Sequence, residues 1–379
     1  MKSVKKVKSL KKALLFMSIT IILFFSFSVT AFSIDSNIDT YNKEFEFEKI
    51  TDSISNETAG ILSEMGIDSI SFENLYNTDI KRVINCLFEI GGNAFKEPAV
   101  FFISAVGIMA ITSVIMSFTG DSTTVRLIGD SVVALCACVP VSQVVLNSFS
   151  VLETLNVFTV SFAGVFCAIV SSSGNVSLGP SYASLAVLSD SLFSALLSGI
   201  SKPAINAMCC MSFLSCFDIY DFSIKLSKTV KTIYISFLGF VATFFSGIVT
   251  LKGVLGAGAD SLTARGVKFV VGKTLPVVGG AVSESYYALI SSLSLIRNTV
   301  GVFGIVTVVV TVLPTLLQIG GWIIALMLAI NIAELSGVEK APGMLSVLKD
   351  SLVLLGATII FSAVIFVVSV GVVIFIKGV

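Results

Sequence analysis

Long runs of residues without a single charge dominate this chain, and short charged segments separate them. Seven of these runs are 20 to 36 residues long, and about 20 apolar residues suffice for an α-helix to cross a bilayer. The pattern predicts an all-α fold whose main part is a polytopic bundle of transmembrane helices. The runs are Ala13–Ile34, Pro98–Thr119, Ser131–Leu152, Thr154–Ser189, Thr232–Leu251, Asn298–Ala333 and Ser351–Ile376.

Turn-forming residues interrupt both of the longest runs. Thr154–Ser189 contains a Ser-Ser-Ser-Gly-Asn segment that ends at Asn175, and Asn298–Ala333 contains Pro314, Gln318 and a Gly-Gly pair at 320–321. Each run is therefore expected to fold back as a hairpin of two spans. The region Ser191–Phe217 is expected to be one bent helix or a re-entrant pair. The count is then about seven to nine helices, some of them short or broken.

The N-terminus has the form of a secretory signal. Six lysines within the first twelve residues precede the uncharged run Ala13–Ile34, and small residues at Val29-Thr30-Ala31 fit cleavage after Ala31. An uncleaved signal anchor is the alternative, because the run is almost long enough to span. In either case the lysines hold the N-terminus in the cytoplasm and send the next segment outside.

The segment after the signal is acidic. Phe32–Glu97 holds thirteen acidic and five basic residues, and its apolar residues recur at near-helical spacing. It is expected to be a small, mainly helical extracytoplasmic segment that packs on the membrane domain or on a partner, since a core of this size is marginal. The predicted organisation is a signal peptide over 1–31, the acidic segment over 32–97 and a polytopic domain over 98–379.

The amino-acid composition limits the classes of protein and of catalytic site that are possible. Apolar residues make up 55% and charged residues 13% of the chain, and the mean hydropathy is +0.99. These values exclude a disordered chain and an ordinary soluble enzyme. The chain has no histidine, which excludes a Ser-His-Asp triad and a His-ligated zinc site. The seven cysteines lie mostly in apolar stretches and are expected to pack rather than to form disulfides. No catalytic, cofactor-binding or metal-binding residue is predicted, and the chain is not expected to be an enzyme or to bind nucleic acid.

Carboxylates near or inside the apolar runs need partners. Asp130, Glu153 and Asp190 lie at the ends of runs and are expected to reach the lipid headgroups. Glu284 lies between Lys273 and Arg297, so it would be near mid-membrane if residues 274–296 span. It is interpreted either as a pore-lining or proton-linked carboxylate or as the structural partner of a lysine on a neighbouring helix.

A basic stretch follows the run Thr232–Leu251. Lys252–Lys273 is more basic than the charged loop Asp218–Lys231 on the other side of that run, so the positive-inside rule places Lys252–Lys273 in the cytoplasm. The stretch is interpreted as an amphipathic interfacial segment that contacts lipid phosphates or an acidic partner. The alternative is a loop that only sets topology. The predicted contact residues are Arg265, Lys268, Lys273, Pro276, Gly279 and Gly280.

The sequence Val267-Lys268-Phe269-Val270-Val271-Gly272-Lys273-Thr274-Leu275-Pro276-Val277-Val278-Gly279-Gly280 resembles a stretch of the stage III sporulation protein AE family of endospore-forming bacteria. The layout of a signal peptide, a short acidic exported segment and a polytopic C-terminal domain is also similar to that family. The resemblance covers nearly the full chain. It brings no catalytic residues.

The resemblance implies a part in the trans-envelope complex that joins mother cell and forespore. The implied partners are the other stage III sporulation proteins of the AA-to-AH set, which include an ATPase, ring-forming proteins and small membrane components. Membrane lipid and, indirectly, the forespore protein Q are further implied partners. The implied location is the mother-cell-derived outer forespore membrane, and the implied role is a conduit required for late forespore development. The alternative is a secondary transporter or permease with a midplane carboxylate site, which Glu284 and the broken helices favour.

Overall fold

The computed structural model describes residues 45–67, 70, 80–119, 123–215, 220–274, 279–336 and 340–375. All of them belong to one compact unit that runs from Asn42 to Val379. Within the helices, only the backbone is described at 80, 123, 220–221, 263–274 and 279–288. The predicted signal peptide and its cleavage site lie outside the described residues.

Every regular element in these ranges is helical, so the all-α prediction is confirmed. The elements are α1 (Glu48–Asp52), α2 (Asn56–Glu64), α3 (Ile80–Thr119), α4 (Thr123–Ser172), α5 (Leu178–Leu196), a π-helical turn (Leu197–Ser201), α6 (Lys202–Leu214), α7 (Tyr220–Thr274), α8 (Gly279–Leu335) and α9 (Ala341–Phe375). Six stretches of the described residues are long and apolar enough to cross a membrane, and they are α3, α4, α5–α6, α7, α8 and α9.

The expected hairpin in Thr154–Ser189 is present. Helix α4 ends at Ser172 and α5 begins at Leu178, with Gly174 between them at φ +83°. Glycine adopts this left-handed conformation without the steric cost that a side chain brings. In contrast, Glu153 does not separate two spans, because α4 continues through it as one helix of 50 residues.

The expected hairpin in Asn298–Ala333 is wrong. Helix α8 runs through this region and through Pro314 as one element. The Gly-Gly pair allows close packing here instead of a turn, since a Cβ on Gly321 would lie 3.3 Å from side-chain atoms of Phe95 and Pro98 in α3. Single helices in α4 and α8 explain why six spans are found where about seven to nine helices were expected.

The described part of Ser191–Phe217 belongs to one helical stretch that contains a π-helical turn, which agrees with the single-helix alternative and not with the re-entrant pair. The π-helical turn joins α5 to α6, and the Ser201 hydroxyl donates to the carbonyl of Leu196, five residues earlier, at 2.9 Å. Single π-turns inside α-helices often mark functional positions. The backbone is helical from Tyr220 to Thr274. The charged segment Asp218–Lys231, expected to be a loop, is therefore helical over its described part. The helical backbone of Lys252–Lys273 fits its interpretation as an amphipathic segment better than the alternative of a loop.

The core lies around α9 and α8, whose inward faces are buried over most of their length. Aromatic side chains of α4 and α9 fill one level of it, with the Phe158 and Phe366 ring centroids 5.8 Å apart. At another level Trp322 of α8, fully buried, packs on Phe101 of α3 at 5.2 Å. Helix α2 packs on the bundle too, and its Thr58 hydroxyl donates to Thr311 of α8 at 3.2 Å.

Two buried carboxylates from distant helices bond to the beginnings of α5 and α9. Asp260 of α7 accepts hydrogen bonds from the backbone N–H groups of Ser177 and Leu178, at 2.7 and 3.0 Å. Asp130 of α4 accepts one from the N–H of Ala341 at 2.8 Å. Both satisfy N–H groups that a helix start leaves without partners. The expectation that Asp130 reaches the headgroups is therefore wrong, since it is 1% exposed and bonded within the protein.

The order of the spans constrains topology. Four candidate spans, α3, α4, α5–α6 and α7, separate the acidic segment from the basic residues at the end of α7. If each crosses once, both segments lie on the same side of the membrane. The expectations of an exported acidic segment and a cytoplasmic Lys252–Lys273 stretch then exclude each other.

Candidate functional site: a polar face on neighbouring spans

One surface of α4 is polar in the middle of an apolar span. Its side chains are exposed, and they recur along one side of the helix. Exposed apolar residues precede and follow them along the helix, with Val139 67% and Val157 58% exposed, and one, Leu146, 62% exposed, lies among them. The polar residues are Ser142, Gln143, Asn147, Ser150 and Glu153.

The neighbouring span carries a matching row. On α5, the π-helical turn and α6, polar residues repeat every three or four positions, which places them on one helix face. All are exposed except Lys202, whose side chain is 35% exposed. They are Ser191, Ser194, Ser198, Lys202 and Asn206.

Direct contacts join the two rows into one surface, which we call the polar face. The Lys202 ammonium Nζ lies 2.6 Å from the Glu153 carboxylate Oε1 and 5.6 Å from the Phe149 ring centroid. Along α4, the Gln143 amide donates to the Asn147 carbonyl at 3.0 Å. The pair of opposite charges leaves this surface with no net charge at its centre.

The polar face is poorly suited to lipid. Serine hydroxyls in helices can donate to preceding backbone carbonyls, as Ser191 does to Val187. The serines alone are therefore not evidence against contact with lipid. A side-chain amide has two N–H donors and a carbonyl acceptor, so the one bond between Gln143 and Asn147 satisfies only part of these two groups. An amide or a charge placed in hydrocarbon costs about 2 kcal/mol or more. Exposed Gln143, Asn147 and Asn206 beside the ion pair therefore indicate contact with water or with polar groups of another protein.

A groove continues the polar face toward one end of the bundle. It is an open groove of about 530 Å³ between α4, α6 and α9, and its lining is mostly apolar. Ser142 belongs to both the groove and the polar face. Cys138, Cys209 and Cys210 also line it, in keeping with cysteine as a small packing residue.

A second polar cluster is buried where α7 meets α6 and α9. Lys231 lies 2.6 Å from the Asp350 carboxylate, whose side chain is 5% exposed. One turn further along α7, the Tyr234 hydroxyl bonds to Ser201 of the π-helical turn and to Thr358 at 2.8 Å. These hydrogen bonds satisfy polar groups in a dry interface and fix the packing of three helices.

Glu153 and Asp190, expected to reach headgroups, have partners within the protein. The Glu153 carboxylate is paired with Lys202, and Asp190 accepts a hydrogen bond from Asn156 at 2.8 Å. These two carboxylates therefore bond within the protein.

The sequence-predicted contact residues are placed only by their backbone. Arg265, Lys268 and Lys273 lie in the last turns of α7, where Arg265 and Lys268 share a helix face as expected. Helix α7 ends at Thr274 and α8 begins at Gly279 and Gly280, on either side of Pro276, which lies outside the described residues. Glu284 lies in the first two turns of α8. The roles of these residues stay predictions.

The polar face is not visible in the pattern of uncharged runs, because those runs are defined only by the absence of charged residues. Serine, asparagine and glutamine do not interrupt an uncharged run. A signal was present in the spacing of Ser191, Ser194, Ser198, Lys202 and Asn206, which is the period of one face of a helix. The described residues contain no group of three His, Cys, Asp or Glu side chains able to hold a metal ion.

The model of the family described as Stage III sporulation protein AE matches residues 67–377 of this chain. The chain belongs to the stage III sporulation protein AE family. A relative named Stage III sporulation protein AE, from Bacillus subtilis (strain 168), is 26% identical over 168 residues. That alignment covers 42% of this chain and 42% of the relative, so the chain spans less than half of that protein's length. No solved structure matches this member of the family.

Proposed function

We propose that this protein is a non-enzymatic integral membrane component of a channel complex between mother cell and forespore, required for late forespore development. The family gives the sporulation role, and the six candidate spans fit a multi-pass membrane protein. The observation that carries the channel role is the polar face, because exposed polar groups in the middle of apolar spans need water or a polar protein surface opposite them. The proposed location is the mother-cell-derived outer forespore membrane.

The stretch from Arg265 to Gly280 is the proposed contact with partners. Its basic residues follow each other in the last turns of α7, and a row of cations suits lipid phosphates or an acidic protein surface. The proposed partners are the other stage III sporulation proteins of the AA-to-AH set, with the forespore protein Q reached indirectly.

Co-purification tests the complex. A tagged chain is extracted in mild detergent from membranes of sporulating cells, and the proteins that come with it are identified by mass spectrometry. The proposal expects other stage III proteins, and it expects Lys268→Glu with Lys273→Glu to reduce their recovery. Recovery of the chain alone from sporulating membranes would contradict it.

A carrier of small solutes is the second candidate, and one observation favours it. Asp350 is a carboxylate held against an ammonium group inside the candidate spans, as in a site that exchanges one cation for another. A carrier would move a solute when the pure chain is reconstituted in vesicles, and Asp350→Asn would stop it. A channel component would be inert in that assay.

A further inference from the structure

We propose that the polar face lines a water-filled passage whose remaining wall is formed by further copies of this same chain. This inference deepens the proposed channel role and rests on it. It assigns Gln143, Asn147, Glu153, Lys202 and Asn206 to the wall of the passage. The channel role alone does not say which surface meets water.

The width of the surface shows that one copy cannot enclose water. The polar face is made by two adjacent helical stretches, α4 and α5–α6, each about 10 Å across with its side chains. Two such helices form one side of a passage and leave the other sides open. Polar residues recur along this face from Gln143 to Glu153, a separation of ten residues or about 15 Å along the helix axis, which is half the thickness of the hydrocarbon core. The exposed apolar side chain of Leu146 lies among them.

The charge of the face favours a second copy as the opposite wall. Glu153 and Lys202 neutralise each other within one chain at 2.6 Å, so identical faces can approach without repulsion between like charges. Copies inserted in the same membrane share one orientation, and a symmetry axis that relates them runs along the membrane normal. Asn147 then lies at the same depth in every copy, and so does Lys202. The copies together form one ring of Asn147 side chains and one ring of Lys202 side chains around water.

The groove supplies a path from the passage to one end of the bundle. Ser142 lies at the boundary between the polar face and the groove, and Cys210, an exposed residue, lines the groove. This groove, which is open and wide enough for water, is the assigned route past Cys210. The native thiol at this position reports on that route without any substitution.

Labelling of single cysteines tests for water. Asn147→Cys and Ser198→Cys lie on the polar face, and Ile103→Cys on α3, where the native side chain is 70% exposed, is the matched control on an apolar surface. The full-length variants are expressed alone, and membrane vesicles are treated with a charged methanethiosulfonate. Mass spectrometry then assigns the label to each cysteine.

Labelling at 147 and 198 is expected to be at least about tenfold faster than at 103, because only the thiolate reacts and it forms only in water. Equal, slow labelling at all three positions would overturn the inference. Cys210 is expected to react at a rate closer to the polar-face positions than to position 103. Its failure to do so while 147 reacts would overturn the assigned route.

Cross-linking tests the identity of the opposite wall. In the same vesicles, Asn147→Cys treated with a short bismaleimide is expected to give covalent dimers joined through position 147, as assigned by mass spectrometry, whereas Ile103→Cys gives fewer dimers joined through position 103. Fast labelling at 147 without cross-linked dimers would show that copies of this chain do not form the opposite wall, and it would overturn that assignment. In each of these failures, co-purification with other stage III proteins would leave the proposed channel role standing.

Discussion

Lys231 of α7 donates a 2.6 Å hydrogen bond to the carboxylate of Asp350 in α9, and the two side chains differ sharply in their access to the surroundings. The lysine side chain is 28% exposed and that of the aspartate is 5% exposed. When one of the two residues is substituted, the loss of stability therefore depends on whether the remaining charged side chain is the buried Asp350 or the more exposed Lys231. An uncompensated charge in a buried place destabilises far more than one that can move outward.

Lys231→Met is expected to destabilise the protein by about 3 kcal/mol, because it strands Asp350 inside the bundle. Asp350→Asn is expected to cost clearly less, since Lys231 can extend toward the surface. The midpoint of thermal aggregation in detergent measures both. The exchange of both residues, Lys231→Asp with Asp350→Lys, is the control for steric effects. Equal losses for the two single variants would contradict the asymmetry.

Asp130 caps the first turn of α9 from a distant helix, and its removal is expected to increase the opening of that turn. Asp130→Ala leaves the N–H of Ala341 buried without an acceptor, at a cost of about 1–2 kcal/mol. Asp130→Asn keeps an oxygen acceptor and is expected to lose less than half as much. Hydrogen exchange in the first turn of α9 should rise for Asp130→Ala and remain near the native level for Asp130→Asn. Unchanged exchange in both variants would show that the cap is not needed.

Glycines in α8 are expected to respond with opposite signs. A Cβ on Gly304 would overlap the Phe162 ring, whereas a Cβ on Gly320 meets nothing within 4 Å. Gly304→Ala is expected to destabilise by about 1–3 kcal/mol through overpacking. Gly320→Ala is expected to be neutral or to stabilise by up to about 1 kcal/mol, since alanine favours helix. Thermal midpoints in one detergent compare them, and a loss at Gly320 as large as at Gly304 would refute the packing explanation.

The basic residues at the end of α7 are expected on the same side of the membrane as the acidic segment. Four candidate spans lie between the two regions. A reporter active only outside the cytoplasm, inserted after Lys273 in one variant and at Ser53 in another, should give the same result at both sites. An insertion at Asp218 should give the opposite result, because one candidate span, α7, lies between Asp218 and Lys273. Different results at Lys273 and Ser53 would show that one of the four helices does not cross.

Much of the fold follows from hydropathy, because in lipid only a helix satisfies every backbone group within its own segment. The break near Gly174 could also be predicted, since several turn formers cluster there. The break expected at Pro314 is wrong, because a transmembrane helix tolerates proline where neighbouring helices pack against it. The turn expected at Gly321 is wrong for a different reason. Sequence alone does not distinguish a glycine that allows close packing, here against Phe95 and Pro98, from one that forms a turn.

The site was harder to predict than the fold. Whether Asn147 faces a neighbouring helix or the exterior depends on tertiary packing, and no local pattern fixes that. The pairing of Glu153 with Lys202 joins residues 49 positions apart, and it arises only after α4 and α5–α6 dock. The buried roles of Asp130 and Asp260 as remote caps depend on contacts of the same kind.

A reporter of late forespore gene expression in sporulating cells tests the central claim most directly. The chromosomal copy is replaced by Asn147→Trp, which fills the polar face with an indole, or by Ile103→Trp, which enlarges a side chain on the apolar surface of α3. The account predicts that Asn147→Trp abolishes the reporter signal at normal protein level, while Ile103→Trp leaves it near the native value. A normal signal with Asn147→Trp would contradict it.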